Sequence, residues 1–406
     1  MNTLLSTDNL SAELIWTALE KFIDPDTGVL YDNSLGRAEL PSRDQVLDDV
    51  PNQCGWTSGF EDAALNAGFL LPDVIQLAQQ TGDEKWQTAA ARLADLLLKL
   101  VTVSDTPGFV ARGVLPDGVT YYRDSSTDQY TMAFRAMHAI SQWEGAGATR
   151  QRRAAQFVAD AMALLQRHQW DIPTADGQKS WVGETSQFWP DRASRLLQFA
   201  VTNAAMNPGE ASLSLYRTLR EECHSRRARG LFSKPGYATI PYALLQTQVS
   251  LRMLWELEPD PEYKMVWRLS MDDLAENAVL QLQARDFTEI IEKIEHLSSL
   301  PEPVSAMELY TEENYANRHN LEKAAGSFGG YYWKCNTRLH TEQGFIRQPL
   351  ELALCFALGG NSELVDYNGT ALLPIVKNCI EQISRAIHLD DIRFCHSAVS
   401  LFVAAA

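Results

Sequence analysis

Four stretches of this 406-residue chain concentrate side chains able to move protons or grip a ligand. The densest, residues 106–134, reads TPGFVARGVLPDGVTYYRDSSTDQYTMAF and sets Arg112, Tyr121, Tyr122, Arg123, Asp124, Asp128, Gln129 and Tyr130 around a glycine-punctuated turn that feeds a helix. Such a set can hydrogen-bond hydroxyls, orient a carboxylate and supply a proton. Two of its acids, Asp124 and Asp128, also have plainer structural work open to them at the helix start. Ser126-x-x-Gln129 has capping-box spacing, and an acid in the first helical turn, as Asp128 would be, suits the helix dipole without doing chemistry. In NQCGWTSGFEDAALNAGFLL, residues 52–71, Glu61 and Asp62 open an amphipathic helix beside Trp56. Ser58-x-x-Glu61 is again a capping box, which leaves Asp62 facing either a cavity or water.

The third stretch, SWVGETSQFWPDRASRLLQF at 180–199, places Trp181, Glu184, Trp189, Asp191 and Arg192 before a helix. Tryptophans beside acids suit sugars, whose C–H faces pack on rings while hydroxyls reach polar groups; equally, the rings can plug a core and Asp191 can cap its helix. The fourth, GSFGGYYWKCNTRLHTEQGFIRQPLELAL at 326–354, follows paired glycines with Tyr331, Tyr332, Trp333, Asn336, Arg338 and His340, then Arg347, Gln348 and Pro349. It forms either a binding wall of stacking rings with polar donors or aromatic packing beneath a loop. Arg338, polar amid aromatics, is the strongest binding candidate there.

Other chemistries lack their spacing. No H-E-x-x-H or C-x-x-C pair indicates a metal site, and no G-x-G-x-x-G, P-loop or G-x-S-x-G elbow occurs. Neither a metal nor another cofactor is expected.

The elements that must position these residues are helices. Leu93, Leu96, Leu97 and Leu100 follow i, i+3, i+4, i+7 spacing, and similar stripes near 10–23, 60–81, 149–169, 191–205, 211–227, 241–257, 262–283, 287–298, 347–358, 366–386 and 391–405 bring the total to about a dozen. A small β-hairpin is expected where the PDG turn at 116–118 joins Gly108–Val114 to Val119–Arg123. Long connections at 24–56, 106–127, 170–191, 230–241 and 327–349, rich in Gly, aromatics, Arg, Asn and Asp, recur between helix groups and place function on one rim. The acidic segment 256–313 reads as a solvated outer helical face, and residues 1–406 as a single domain.

Hydrophobic residues at 45% and charged residues at 21% are ordinary globular usage. A net charge of −17 argues against nucleic-acid or anionic-membrane partners; it suits a neutral or cationic ligand, while a small anion can still meet local arginines. The start lacks signal-peptide features and no apolar run approaches a membrane span, so a cytoplasmic location is expected. The six cysteines are expected mostly to be reduced core thiols.

GFEDAALNAG at 59–68, PGFVARGV with YYRDSSTDQYT within 107–131, and W-x-x-N-x-R-L with RQPL at 333–339 and 347–350 together resemble uncharacterised bacterial six-hairpin glycosidase-type proteins. These are (α/α)6 toroids similar in architecture to unsaturated glucuronyl hydrolases. The resemblance implies an all-α cup of six inner and six outer helices with long rim loops, a sugar entering at the rim, and acids near inner-helix starts doing the proton work. It maps those acids onto Asp62 and Asp128, with Arg112, Arg123, Trp333 and Arg338 as substrate contacts. The paired histidines expected of a sugar epimerase in such a ring are not evident.

Glycosidic cleavage, or hydration of an unsaturated sugar, needs one carboxylic acid to protonate and usually a second carboxylate to activate water or attack. Their gap reports the outcome, ~5 Å for retention and ~6.5–9.5 Å for inversion. The expectation is a hydrolase, acting on an oligosaccharide or small sugar that is acidic or unsaturated in one version. Asp128 is its general acid/base and Asp62 the partner, with one carboxyl raised in pKa by burial. Trp56, Arg112, Arg123, Tyr130, Trp181, Trp189, Tyr332, Trp333 and Arg338 are the candidate contacts. A lyase using Tyr130 and Arg112, an epimerase, and a non-catalytic sugar-binding protein are the alternatives.

Overall fold

The computed structural model describes residues 16–17, 19–24, 28–32, 40–186, 190–227, 240–326, 330–359 and 400. Its principal helices are α1 (Arg43–Leu47), α2 (Ala63–Thr81), α3 (Glu84–Leu100), α4 (Thr127–Gln142), α5 (Gly147–Arg167), α6 (Pro190–Met206), α7 (Glu210–Arg227), α8 (Pro241–Leu257), α9 (Pro261–Gln283) and α10 (Phe287–His296). Five short helices follow, α11 (Ala306–Leu309), α12 (Glu312–Ala316), α13 (Arg318–Ala325), α14 (Gly330–Cys335) and α15 (Thr337–Glu342). A π-helical segment, Gln343–Arg347, then leads into α16 (Gln348–Gly359). The fold is all-α. The stripes expected at 366–386 and 391–405 lie almost wholly outside the described residues.

Two kinds of helix sort into two layers for a reason visible in their composition. In α2, AALNAGFLLPDVIQLAQQT, nearly every residue from Ala63 to Ala78 is buried, and α8 and α16 are likewise buried on most sides. A helix that is apolar all round must be surrounded by others. By contrast α3 buries one stripe, Trp86, Ala89, Ala90, Leu93, Leu97 and Leu100, and exposes Asp95 and Lys99. Caps fix its ends: Asp83 accepts from the Lys85 amide at 3.0 Å, and α2 before it stops at Gly82 with φ of +67°.

The inner helices touch in series, α2 against α4, α4 against α6, α6 against α8 and α8 against α16. Outside them, α3 packs on α2, α5 on α4 and α6, α7 on α6, and α9 on α8 and α16. Within the segment 256–313, expected as a solvated face, α9 buries the stripe Trp267, Met271, Ala275, Ala278 and Leu282, but its exposed side also carries the large apolar Met265, Leu269 and Leu280. Side-chain amides stitch the inner layer together. Gln198 Nε2 donates to the Thr131 carbonyl at 2.8 Å, and Ser250 Oγ donates to Gln198 Oε1 at 2.6 Å.

The expected β-hairpin does not form, and the described residues contain only isolated bridges. Around the PDG turn, the Leu115 amide donates to the Thr120 carbonyl at 2.8 Å, but the arms then part. Backbone groups of the first arm go elsewhere: the Ala111 amide to Leu100 O at the end of α3, the Arg112 carbonyl to the Ala64 amide of α2, and Val110 O to Ser125 Oγ. A second correction concerns 327–349, expected as a loop, which holds α14, α15 and the π-helical segment. Among the cysteines, Cys54, Cys223 and Cys355 are buried, as expected, whereas Cys335 is exposed; Cys379 and Cys395 lie outside the described residues.

The two helices that carry the expected acids at their starts, α2 and α4, approach each other closely. A Cβ on Gly68 of α2 would fall 2.6 Å from the main-chain carbonyl of Met132 in α4. In an unconstrained helix Gly→Ala stabilises by about 1 kcal/mol. Here overpacking against main chain reverses the sign, and Gly68→Ala is expected to lose about 1–3 kcal/mol, read by chemical denaturation.

Candidate active site

Asp62 occupies the N-cap position of α2 but makes no side-chain bond to its own helix. Its Oδ1 instead accepts from Arg112 Nη2 at 2.9 Å and from Gln129 Nε2 at 2.8 Å. Its amide donates to Asp32 Oδ2 at 3.0 Å, and Asn66 Nδ2 donates to Asp32 Oδ1 at 2.6 Å, so Asp32 anchors the same turn from behind. The capping box expected of Ser58 and Glu61 is not formed in that role. Glu61 folds back on its loop, accepting from the Thr57 amide at 2.6 Å, the Gly59 amide at 2.8 Å and Ser58 Oγ at 3.3 Å.

On α4 the second expected box is half made. Ser126 Oγ accepts from the Gln129 amide, but the Gln129 side chain reaches across to α2, where its Oε1 accepts from the Leu65 amide at 2.8 Å. Asp128, in the first turn of α4, takes its partner from α6: Arg195 Nη1 donates to its Oδ1. One turn earlier on α6, Arg192 donates to Thr127 Oγ1 at 2.7 Å and lies 3.5 Å from Asp191. Asp191 sits inside the first turn of α6, behind Pro190, and not at the cap position expected of it.

Both acids open onto one cavity of about 430 Å³. Trp56, Arg112 and Glu61 line it on the Asp62 side, and Asp191, Arg192 and Arg195 on the Asp128 side. Tyr242, Ala243, Leu245 and Gln246 of α8 add a wall, and Trp333, Gln343, Arg347 and Glu351 close another. Four of the long connections therefore converge here. The Arg112 guanidinium lies 5.9 Å from the Trp56 ring centroid, and Arg347 pairs with Glu351 one turn on at 3.2 Å, both fully buried.

Of the expected contacts, Trp56, Arg112 and Trp333 line the cavity. The others are placed elsewhere, each for a visible reason. Tyr130 is wholly buried in the core, its hydroxyl donating to the Gly108 carbonyl at 2.8 Å. Arg123 is 49% exposed and pairs with Asp49 at 2.7 Å. Trp181 is an exposed ring whose amide donates to Asp124, itself a buried acid tying Gln53, Cys54 and Trp181 together. Tyr332 packs with Tyr310 and Leu339 in a separate small core, and Arg338 is taken by Glu302 at 2.9 Å and Glu342 at 3.4 Å. Trp189 lies outside the described residues.

Sequence reasoning did not single out Arg195, Tyr242, Gln246, Gln343 or Glu351. Only two faint signals pointed that way: Asp191 and Arg195 stand one helical turn apart, as do Arg347 and Glu351. The carboxyl pushed upward is Glu61, raised by burial and then by the charge of Asp62. Burial opposes the charge of Arg112, but Asp62 leads the neighbouring groups that outweigh it and raise its pKa. Among the described residues no group of three or more His, Cys, Asp or Glu is arranged to hold a metal ion, and no helix is long and apolar enough to cross a membrane.

Comparison with family models, with curated proteins and with solved structures finds no match to this chain.

Two outcomes follow from this geometry. Arg112→Met leaves Asp62 without its ion and is expected to cost about 3–5 kcal/mol of stability, while Arg123→Ala at the half-exposed pair costs less than about 1 kcal/mol; denaturant melts compare them. The second concerns pH. Glu61 holds its proton in the folded chain above 4.5, the ordinary value at which the unfolded chain releases it. Its contribution is complete below that pH and fades as pH rises through the raised folded value, so stability falls across that window and Glu61→Gln flattens the profile.

Proposed function

We propose that the chain is a carbohydrate-active hydrolase built as an (α/α)6 toroid. The observation that carries this reading is that Asp62 and Asp128, on different helices and remote in sequence, line one cavity walled by Trp56 and Trp333. Each carboxylate is held through Oδ1 alone, and no hydrogen bond among the described residues reaches either Oδ2. Ion pairing therefore orients both groups and leaves one oxygen of each for a ligand. The toroid reading is supported by the serial contacts of the inner helices and by Ser400, whose hydroxyl donates to Asp73 of α2 and so returns the far end of the chain to the first inner helix.

In this reading Asp128, the more accessible of the two at 30% against 17%, delivers the proton to the leaving oxygen. Asp62, fixed by Arg112 and Gln129, acts as the carboxylate that activates water or attacks. Trp56 and Trp333 supply faces for the C–H surfaces of a sugar ring. A lyase acting through Tyr130 is not favoured, because that hydroxyl is committed to Gly108 O inside the core. A non-catalytic sugar-binding protein is the second reading, favoured by the ion pairing of both carboxylates.

Turnover of a panel of short oligosaccharides, followed by variants on whichever is cleaved, separates the two. Asp128→Asn and Asp62→Asn are each expected to lower kcat by about 10²–10⁴-fold. Full turnover by Asp128→Asn would remove Asp128 from the acid role, and binding without turnover by the unaltered protein would establish the second reading.

A further inference from the structure

The cavity's arginines invite an anionic ligand at first sight, yet each is already matched. Arg112 is paired with Asp62 at 2.9 Å, and Arg195 with Asp128. Arg192 lies 3.5 Å from Asp191, and Arg347 lies 3.2 Å from Glu351. The fifth acid of the lining, Glu61, spends both oxygens on its own loop. Burial and then the charge of Asp62 raise its pKa, and whatever charge it carries is negative and adds nothing that would attract an anion. Among the described lining residues, then, positive charge is cancelled pair by pair. A carboxylate or phosphate entering this space would lose its water and meet no cation that is not already shared.

The polar atoms left over describe the ligand more closely. Arg112 Nη1 and Arg195 Nε are buried donors with no hydrogen-bond partner in the described chain, and Gln246 Oε1 is a buried acceptor with none. All three residues line the cavity and are more than nine-tenths buried. A ligand that completes them must offer acceptors to two sites and a donor to a third. A hydroxyl does both, since it carries one donor and two lone pairs, whereas a carboxylate only accepts. A buried group left unpaired costs about 1–3 kcal/mol, so this matching discriminates.

From this charge balance and these three atoms, we propose that the cavity takes an uncharged polyhydroxylated sugar and discriminates against its uronate counterpart, the arginines serving to hold the carboxylates and not to receive a substrate acid. The inference rests on the carbohydrate reading above and narrows it, setting aside the acidic substrate that the arginine content suggests.

The test uses the full chain and calorimetric titration with disaccharide pairs differing only at the terminal C6: glucosyl against glucuronosyl, galactosyl against galacturonosyl, mannosyl against mannuronosyl. In any pair that binds, the neutral member is expected to bind at least tenfold tighter. Glu351→Gln, which removes the carboxylate paired with Arg347 and makes the lining more positive by one charge, is expected to narrow or invert that preference by tenfold or more. Because this buried change can unfold the chain, Asp191→Asn at the more open pair serves as the second variant, with a smaller shift in the same direction and a thermal melt to verify folding. Equal affinity within the pairs, tighter uronate binding by the unaltered protein, or a preference unmoved in both folded variants would overturn the inference and leave the carbohydrate reading standing. No binding to either member of any pair would overturn both.

Discussion

The contact on which the site depends is the ion pair between Arg112 and Asp62 at the first turn of α2. Arg112 reaches three things at once: its Nη2 holds the carboxylate, its Nε donates to the Glu61 carbonyl at 3.1 Å, and its own carbonyl accepts the Ala64 amide. A helix start leaves amides without intrahelical partners, and here a neighbouring loop satisfies them in place of a local cap. That substitution frees the Asp62 side chain from helix duty. It also explains why the arm carrying Arg112 cannot pair with its neighbour as a strand, since its backbone is already used by α2 and α3.

Gln129 extends the same constraint to the second acid. Its amide group bridges the Leu65 amide and the Asp62 carboxylate, while the residue before it, Asp128, pairs with Arg195 of α6. The placement of α2 against α4, and with it that of the two acids, is constrained by the Gly68–Met132 approach and by the Gln129 crossbar. In the proposed reaction such preorganisation would matter, because small misplacements of reacting groups are costly in rate.

The architecture was legible where burial writes itself into composition. Apolar runs such as those of α2 and α16 announce helices enclosed on all sides, and single stripes such as that of α3 announce an outer layer. Asp62 and Asp128 were legible as cavity-lining residues because acids at helix starts beside glycines and aromatics stand out, although capping and the helix dipole also place acids there. Arg195 and Glu351 were not, because on their own helices they look like ordinary charged residues; only the packing of α6 against α4, and of α16 against α8, turns them inward. Tyr130 and Tyr332 went the other way, into cores, and Trp181 into solvent. Aromatic residues in a polar stretch look the same whether the ring meets a ligand or a core, and the hydroxyl of Tyr130 was claimed by a carbonyl from a distant turn. The lost hairpin has the same origin, a local propensity overridden by more remote partners.

From Thr337 to Gly359 the chain is one helical rod interrupted by the wide turn at Gln343–Arg347. A π-type turn holds an extra residue, and so rotates everything beyond it by about 100° relative to an unbroken α-helix. Before the slip, Leu339 answers to the small aromatic core around Tyr332; after it, Leu350 and Leu354 answer to the main core. A single rod thereby serves two hydrophobic environments that no constant period could satisfy together, and Arg347 stands at the joint where one phase gives way to the other.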